Sequence, residues 1–251
     1  MGVLSDEYPC RTELDALYAA FSNVRKPLLR PLGPQAYDAD WIGRQPLREL
    51  PADLINDFAF ELGDTIGDSE DVRYFLPRLC ELLVRGELNA LVNGPILLAQ
   101  KLVDAEWMRW PKPEQSVVEA FLVAFFEASL SKRAAVFLYM MTAVEILFDD
   151  LSPWLTRIRV REDVAGVWAL RWLAEGRGTG LLRKNDRPQP FLEKRIDQES
   201  QLLGWLREPA SLAQVESLRK CVGLTSPEGE DLKWLYEETT YWLHICGAKA
   251  D

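Results

Sequence analysis

The sequence predicts an all-α protein, a single-domain layered array of antiparallel helices that is superhelix-like or an irregular bundle. Three observations carry this reading. Apolar residues recur at spacings of three and four almost throughout, period-two alternation is scarce, and successive apolar stretches of similar length are joined by short turns. No clean repeat runs through the chain, so nothing imposes a regular solenoid.

The elements follow in order. Thr12 is placed to cap a first helix that carries Leu14, Leu17, Tyr18 and Phe21 on one face. Pro27, Pro31, Pro34 and Pro46 forbid a continuous helix across 24–50 and allow a short turn near DADWIG. That connection either packs through Leu28, Leu29, Leu32 and Trp41 or moves. Pro51 suits the first turn of the next helix, whose stripe is Leu54, Ile55, Phe58 and Leu62, with Gly63 or Gly67 at its end.

The stretch DSEDVRYFLPRLCELLVRGEL, 68–88, mixes two arginines and a proline into an apolar helix. Asp68 or Ser69 caps it, Glu70 and Asp71 suit its positive end, and Val72, Phe75, Leu76, Leu79, Leu82 and Leu83 form its stripe. Pro77 opposes the carbonyl of Arg73, which predicts a kink or a later start near Tyr74. Arg73 and Arg78 fall off the stripe and are expected to face solvent in ordinary ion pairs.

Further helices are expected after Pro95, over 114–130 and 133–148, and over 162–174. The 114–130 segment is apolar on more than one side and should be central. An irregular stretch, EGRGTGLLRKNDRPQPF at 175–191, precedes three last helices near 196–206, 212–222 and 232–245. The chain is expected to form one domain, 1–251, with 175–191 as the best alternative boundary.

Composition narrows the function classes. The 29 Lys and Arg against 39 Asp and Glu give a net charge of −10, which repels phosphate backbones and anionic membranes and attracts a basic protein. MGVLSDEYPCRTELD carries acids early and has no apolar core, so no signal peptide is expected. The most apolar stretch, 117–148, is broken by Glu127, Lys132, Arg133 and Glu145 and falls short of the roughly 20 apolar residues of a span. A cytoplasmic location is expected. The four cysteines, Cys10, Cys80, Cys221 and Cys246, lack metal-motif spacing.

Familiar catalytic sets are poorly supplied. His244 is the single histidine, which excludes histidine-rich zinc and di-iron sites, and Cys246 two residues away lies on a different face. EGRGTG lacks the Walker Gly-Lys-Ser/Thr sequence and follows a helix, so its first glycine reads as a helix C-cap. Arg177, Arg183, Lys184 and Arg187 make that loop the most basic patch. The pairs Asp149–Asp150 and Glu237–Glu238 point about 100° apart on a helix and form no dyad. No catalytic residue, metal site or cofactor is expected. The competing enzyme reading would use Asp149 and Asp150 beside the basic loop, with a divalent ion.

The segment SPEGEDLKWLYEETTYWLHICG is the most informative surface. Glu228, Glu230 and Asp231 load the first turn of a helix, and Leu232, Leu235, Trp242 and Leu243 can face inward. Trp234, Glu237, Glu238 and Tyr241 then fall on other faces. Aromatic side chains beside acids suit a contact with a basic protein. The expected partner-binding set is therefore Glu228, Glu230, Asp231, Trp234, Glu237, Glu238 and Tyr241, with no nucleic acid and no membrane as partner.

The run PLRELPADLINDFAFELGDTIGDSEDVRYFLPRLCELL, 46–83, resembles the signature of a group of uncharacterised bacterial proteins: PLREL, a helix, a GD turn, then FRxFLPRxLEL. The matching positions are Pro46 to Leu50, Gly67, Asp68, Arg73, Phe75 to Arg78, Glu81 and Leu82. Members of that group often carry a cysteine pair before PLREL, where this chain has GPQAYDADWIGRQ. The resemblance implies a small bacterial soluble protein and assigns no catalytic residue. Together with the charge, it leads to the expectation of an immunity-type protein that occludes a basic toxin. A helical regulatory scaffold is a further alternative.

Overall fold

Helices account for every regular element among the described residues, as the spacing predicts. The computed structural model describes residues 9–29, 39–88, 94–130, 134–161, 163–178, 192–221 and 227–248. Two compact units divide the chain: Met1–Ala128 with Tyr139–Leu147, and Ser129–Leu138 with Phe148–Asp251.

The first unit contains α1 (Arg11–Ala20), α2 (Ala39–Ile42), α3 (Ala52–Ala59), α4 (Ser69–Arg85), α5 (Gly94–Asp104) and most of α6 (Lys112–Leu130). The second half of α7 (Ala134–Leu147) also belongs to it. α4 packs against α1, α3 and α5. Phe58 meets Phe75 edge-on at 5.0 Å in this core, and both rings are fully buried. Phe121, Phe125 and Phe126 of α6 are likewise buried, as its nearly all-round apolarity requires.

The start of α4 is set by a capping box. Asp68 accepts from the Glu70 and Asp71 amides at 2.9 and 3.2 Å, while the Asp71 carboxylate accepts from the Asp68 amide at 3.1 Å. The helix therefore begins at Ser69, with Pro77 inside it, and not near Tyr74. At the start of the chain's first helix, Thr12 is not the cap: α1 opens at Arg11 behind Cys10, whose φ is 67°.

Asp71 is fully buried and does more than cap. Its carboxylate also accepts from the Leu28 and Leu29 amides at 2.9 and 3.3 Å, and the Arg25 guanidinium lies 3.1 Å away. Leu29 is 1% exposed, so the proline-rich connection packs through this residue, while Leu28 and Trp41 stay exposed and Leu32 lies outside the described residues. Gly67 allows the approach: it has φ +73°, and a Cβ there would sit 2.3 Å from the Asp71 carboxylate.

Arg78 is not outward, contrary to expectation. It is 6% exposed, donating to the Leu50 carbonyl at 2.7 Å and to Glu81 at 2.8 Å. Glu81 takes the Tyr18 hydroxyl at 2.6 Å on the same oxygen and Arg85 at 2.6 Å on the other. Burial, reinforced by the bond to Glu81, pushes the Tyr18 hydroxyl well above its ordinary pKa. Arg73 is also turned inward. It bonds Glu114 with both Nε and a terminal nitrogen, pairs with Glu70, and lies 5.7 Å from the Trp110 ring. Helical periodicity marks which side is apolar, but not that another element covers the polar side and supplies acceptors there.

The second unit is built from α8 (Ser152–Arg159), α9 (Val164–Gly178), α10 (Leu192–Arg207), α11 (Pro209–Cys221) and α12 (Pro227–Cys246). α12 packs most extensively on α9 and also touches α10 and α11. α9 runs on through Gly176 to Gly178, so Gly176 is no C-cap; the helical ladder outweighs a glycine cost of about 1 kcal/mol. Among the described residues no helix is long and apolar enough to cross a membrane.

Two consequences are measurable. Arg78→Met leaves the Leu50 carbonyl and part of Glu81 without a donor and should cost about 3 kcal/mol in urea unfolding. Lys101 is 3% exposed with Asp104 at 3.6 Å, and burial lowers its pKa from 10.5. Between that lowered value and 10.5 the unfolded chain holds the extra proton, so this residue's contribution to stability rises with pH. The stability gap between Lys101→Met and the parent should accordingly change as the pH climbs towards 10.5, with the parent gaining.

Candidate functional site: the outer face of the last helix

α12 sorts its side chains cleanly. Leu235, Thr239, Leu243 and Cys246 are buried, and the Thr239 hydroxyl returns to the Leu235 carbonyl at 2.6 Å. Trp234, Tyr241 and Ile245 are exposed by 46%, 56% and 52%. At about 100° per residue, Tyr241 and Ile245 lie within about 20° of Trp234, so the three make one line along the helix. Three large apolar side chains left in water on one line are the feature of this helix that its own stability does not require.

Acids flank the line. Glu238, half-buried, falls about 40° to one side and Glu237 about 60° to the other. Glu237 lies 3.9 Å from Lys233, and both are more than 60% exposed, so this pair holds neither side chain firmly. Glu237 is free to turn to an incoming cation. His244 is exposed and its ring contacts the Ala248 carbonyl, whereas Cys246 is buried with its sulfur 3.5 Å from the Ala174 carbonyl. The two face opposite ways and form no catalytic pair.

Trp234 is backed by α9. Its ring lies 5.9 Å from Trp168 and 4.9 Å from the Arg171 guanidinium, which also stands 5.5 Å from Trp168. Glu175 holds Arg171 at 2.9 Å. Trp172 continues the cluster, 5.4 Å from Trp168 and 5.7 Å from Phe137. A guanidinium in contact with both indoles fixes the rings by cation–π attraction, each contact contributing about 0.5–2 kcal/mol. Trp234 is thus held in place while much of it remains open to solvent.

The expected partner-binding residues divide into two groups. Trp234, Glu237, Glu238 and Tyr241 share this outer face. Glu228, Glu230 and Asp231 lie on the same helix, but their side chains are outside the described residues. Sequence reading missed Ile245, Trp168 and Arg171. Ile245 was recoverable from its spacing of four from Tyr241. The α9 face Trp168–Arg171–Trp172–Glu175 has legible helical spacing, yet nothing in the sequence says that it meets Trp234.

The other candidates find ordinary roles or fall outside view. Asp150 accepts from the Ser152 amide at 2.8 Å, opening α8, and hydrogen bonding from the Ser152 hydroxyl and then its amide holds the carboxyl below the usual range. The acid at the end of α7 therefore serves the start of the following helix. Arg177, Arg183, Lys184 and Arg187 have side chains outside the described residues. Among the described residues no group of three or more His, Cys, Asp or Glu side chains is placed to hold a metal ion.

Trp234→Ala should unfold at a concentration of urea close to that of the parent, with a loss of about 1–2 kcal/mol, because the ring is half exposed and Arg171 keeps Glu175. Near-ultraviolet circular dichroism should change in the same variant as the Trp168 contact is lost. No protein-family model, curated protein or solved structure matches this chain.

Proposed function

We propose that this chain is a protein-binding module of the immunity type, a bacterial cytoplasmic protein that neutralises a basic toxin by covering it and performs no turnover of its own. The observation that supports this reading most is the exposed line Trp234–Tyr241–Ile245 with acids on both sides. Rigid aromatic side chains are the usual anchors of protein interfaces, since few rotamers are lost when they are covered. The net charge of −10 steers a basic partner towards this chain and accelerates encounter at low salt. The resemblance of residues 46–83 to a bacterial signature accords with the bacterial part of the reading.

The test uses a toxin domain encoded beside this chain's gene. Binding should be tight and should weaken as salt rises. The variant Trp234→Ala with Glu237→Lys and Glu238→Lys should lose at least a hundredfold in affinity, about 2.7 kcal/mol, while remaining folded with a melting temperature only a few degrees below the parent's. Unchanged affinity removes this surface from the account. Turnover of a small compound by the purified chain, abolished by a point substitution in a cavity, overturns the binding reading altogether.

A further inference from the structure

We propose that the recess between α8 and α10 is a binding site for a neutral, hydroxyl-rich small molecule of mono- to disaccharide size. The recess has a volume of about 440 Å³, within the range of small-molecule pockets. Two polar clamps hold its walls. At one end Gln201 donates to the Asp149 carbonyl at 3.2 Å and accepts from the Leu151 amide at 2.9 Å, while Gln198 donates to the Phe148 carbonyl at 2.7 Å. At the other end Arg159 reaches Glu208, the Trp205 carbonyl and the Ser211 hydroxyl, at 3.0, 3.1 and 3.0 Å.

Between the clamps the facing residues are small. Thr156 of α8 and Ser200 and Gly204 of α10 line the recess together. A Cβ added at Gly204 would meet nothing within 4 Å, so the space beside it is open and no packing demands a glycine there. Thr156, Ser200 and Gly204 are exposed, so the recess opens to solvent along this side. The floor is Leu155 and Trp205, both buried, with the Arg159 guanidinium 4.5 Å over the indole.

The remaining hydrogen-bonding capacity defines the ligand. The Thr156 and Ser200 hydroxyls make no hydrogen bond among the described residues, and Glu208 bonds Arg159 through one carboxylate oxygen, leaving the other open. Each hydroxyl can donate and accept, and the open oxygen accepts. Arg159 and Glu208 are the charged residues of the lining and neutralise each other, so neither an anion nor a cation meets a net opposite charge. A purely apolar ligand would leave these groups unpaired against it. A sugar presents hydroxyls at its edge and C–H groups on its faces, which matches both the polar walls and the apolar floor. These residues are distinct from the Trp234–Ile245 line, so the inference stands or falls separately from the protein-binding reading.

Saturation-transfer NMR on the full chain tests it, with glucose, galactose, mannose, N-acetylglucosamine and sucrose as neutral probes and glucuronate and glucosamine as charged ones. At least one neutral sugar should show saturable transfer at millimolar concentration. Gly204→Leu fills the recess with a better helix former, so the fold should persist by circular dichroism while affinity drops at least tenfold. Thr156→Val with Ser200→Ala should weaken the same sugar. No transfer to any neutral sugar, transfer confined to the charged probes, or equal affinity in Gly204→Leu overturns the proposal.

Discussion

The buried carboxylate of Asp71 is the constraint on which the first unit depends. A carboxyl group out of contact with water persists only when its lone pairs are met, and four groups meet it: the amides of Leu28, Leu29 and Asp68, and the Arg25 guanidinium. These partners come from two places in the chain: the proline-rich connection, through Arg25, Leu28 and Leu29, and the GD turn, through Asp68. One side chain therefore sets where α4 starts and where the connection lies. Leu29 shows the force of this arrangement. It takes φ 37°, a left-handed conformation that costs a leucine about 1–2 kcal/mol, and does so while buried.

The signature residues read naturally in this light. Gly67 makes room for Asp71, Asp68 caps α4, Arg78 ties the Leu50 carbonyl to Glu81, and Arg73 grips Glu114. Arg48, within PLREL, lies 4.1 Å over the Tyr18 ring and pairs with Asp15. Fold maintenance accounts for each of these side chains. A distinctive string in a sequence can thus be a description of a latch, with the working surface elsewhere.

How far the sequence carried depended on the range of the interaction. The capping of α4 by Asp68 and the outward placement of Trp234 and Tyr241 are local or periodic, and both were legible. Arg78 reads as outward in the sequence because the Leu50 carbonyl that it bonds, and the Tyr18 hydroxyl that shares Glu81 with it, arrive only when the turn at residues 47–49 and α1 pack on α4. The Trp168–Arg171 support behind Trp234 and the recess at Gly204 are likewise products of helix pairing. An isolated glycine in a helical pattern gives no sign of whether it permits contact or leaves a gap; here it leaves a gap.

Native-state hydrogen exchange on Asp71→Ala, compared with the parent, tests the latch most directly. The account predicts that the Leu28, Leu29 and Asp68 amides, protected in the parent, exchange about a hundredfold faster in the variant, about 2.7 kcal/mol of lost protection. Equal protection of these three amides in the two proteins would contradict it.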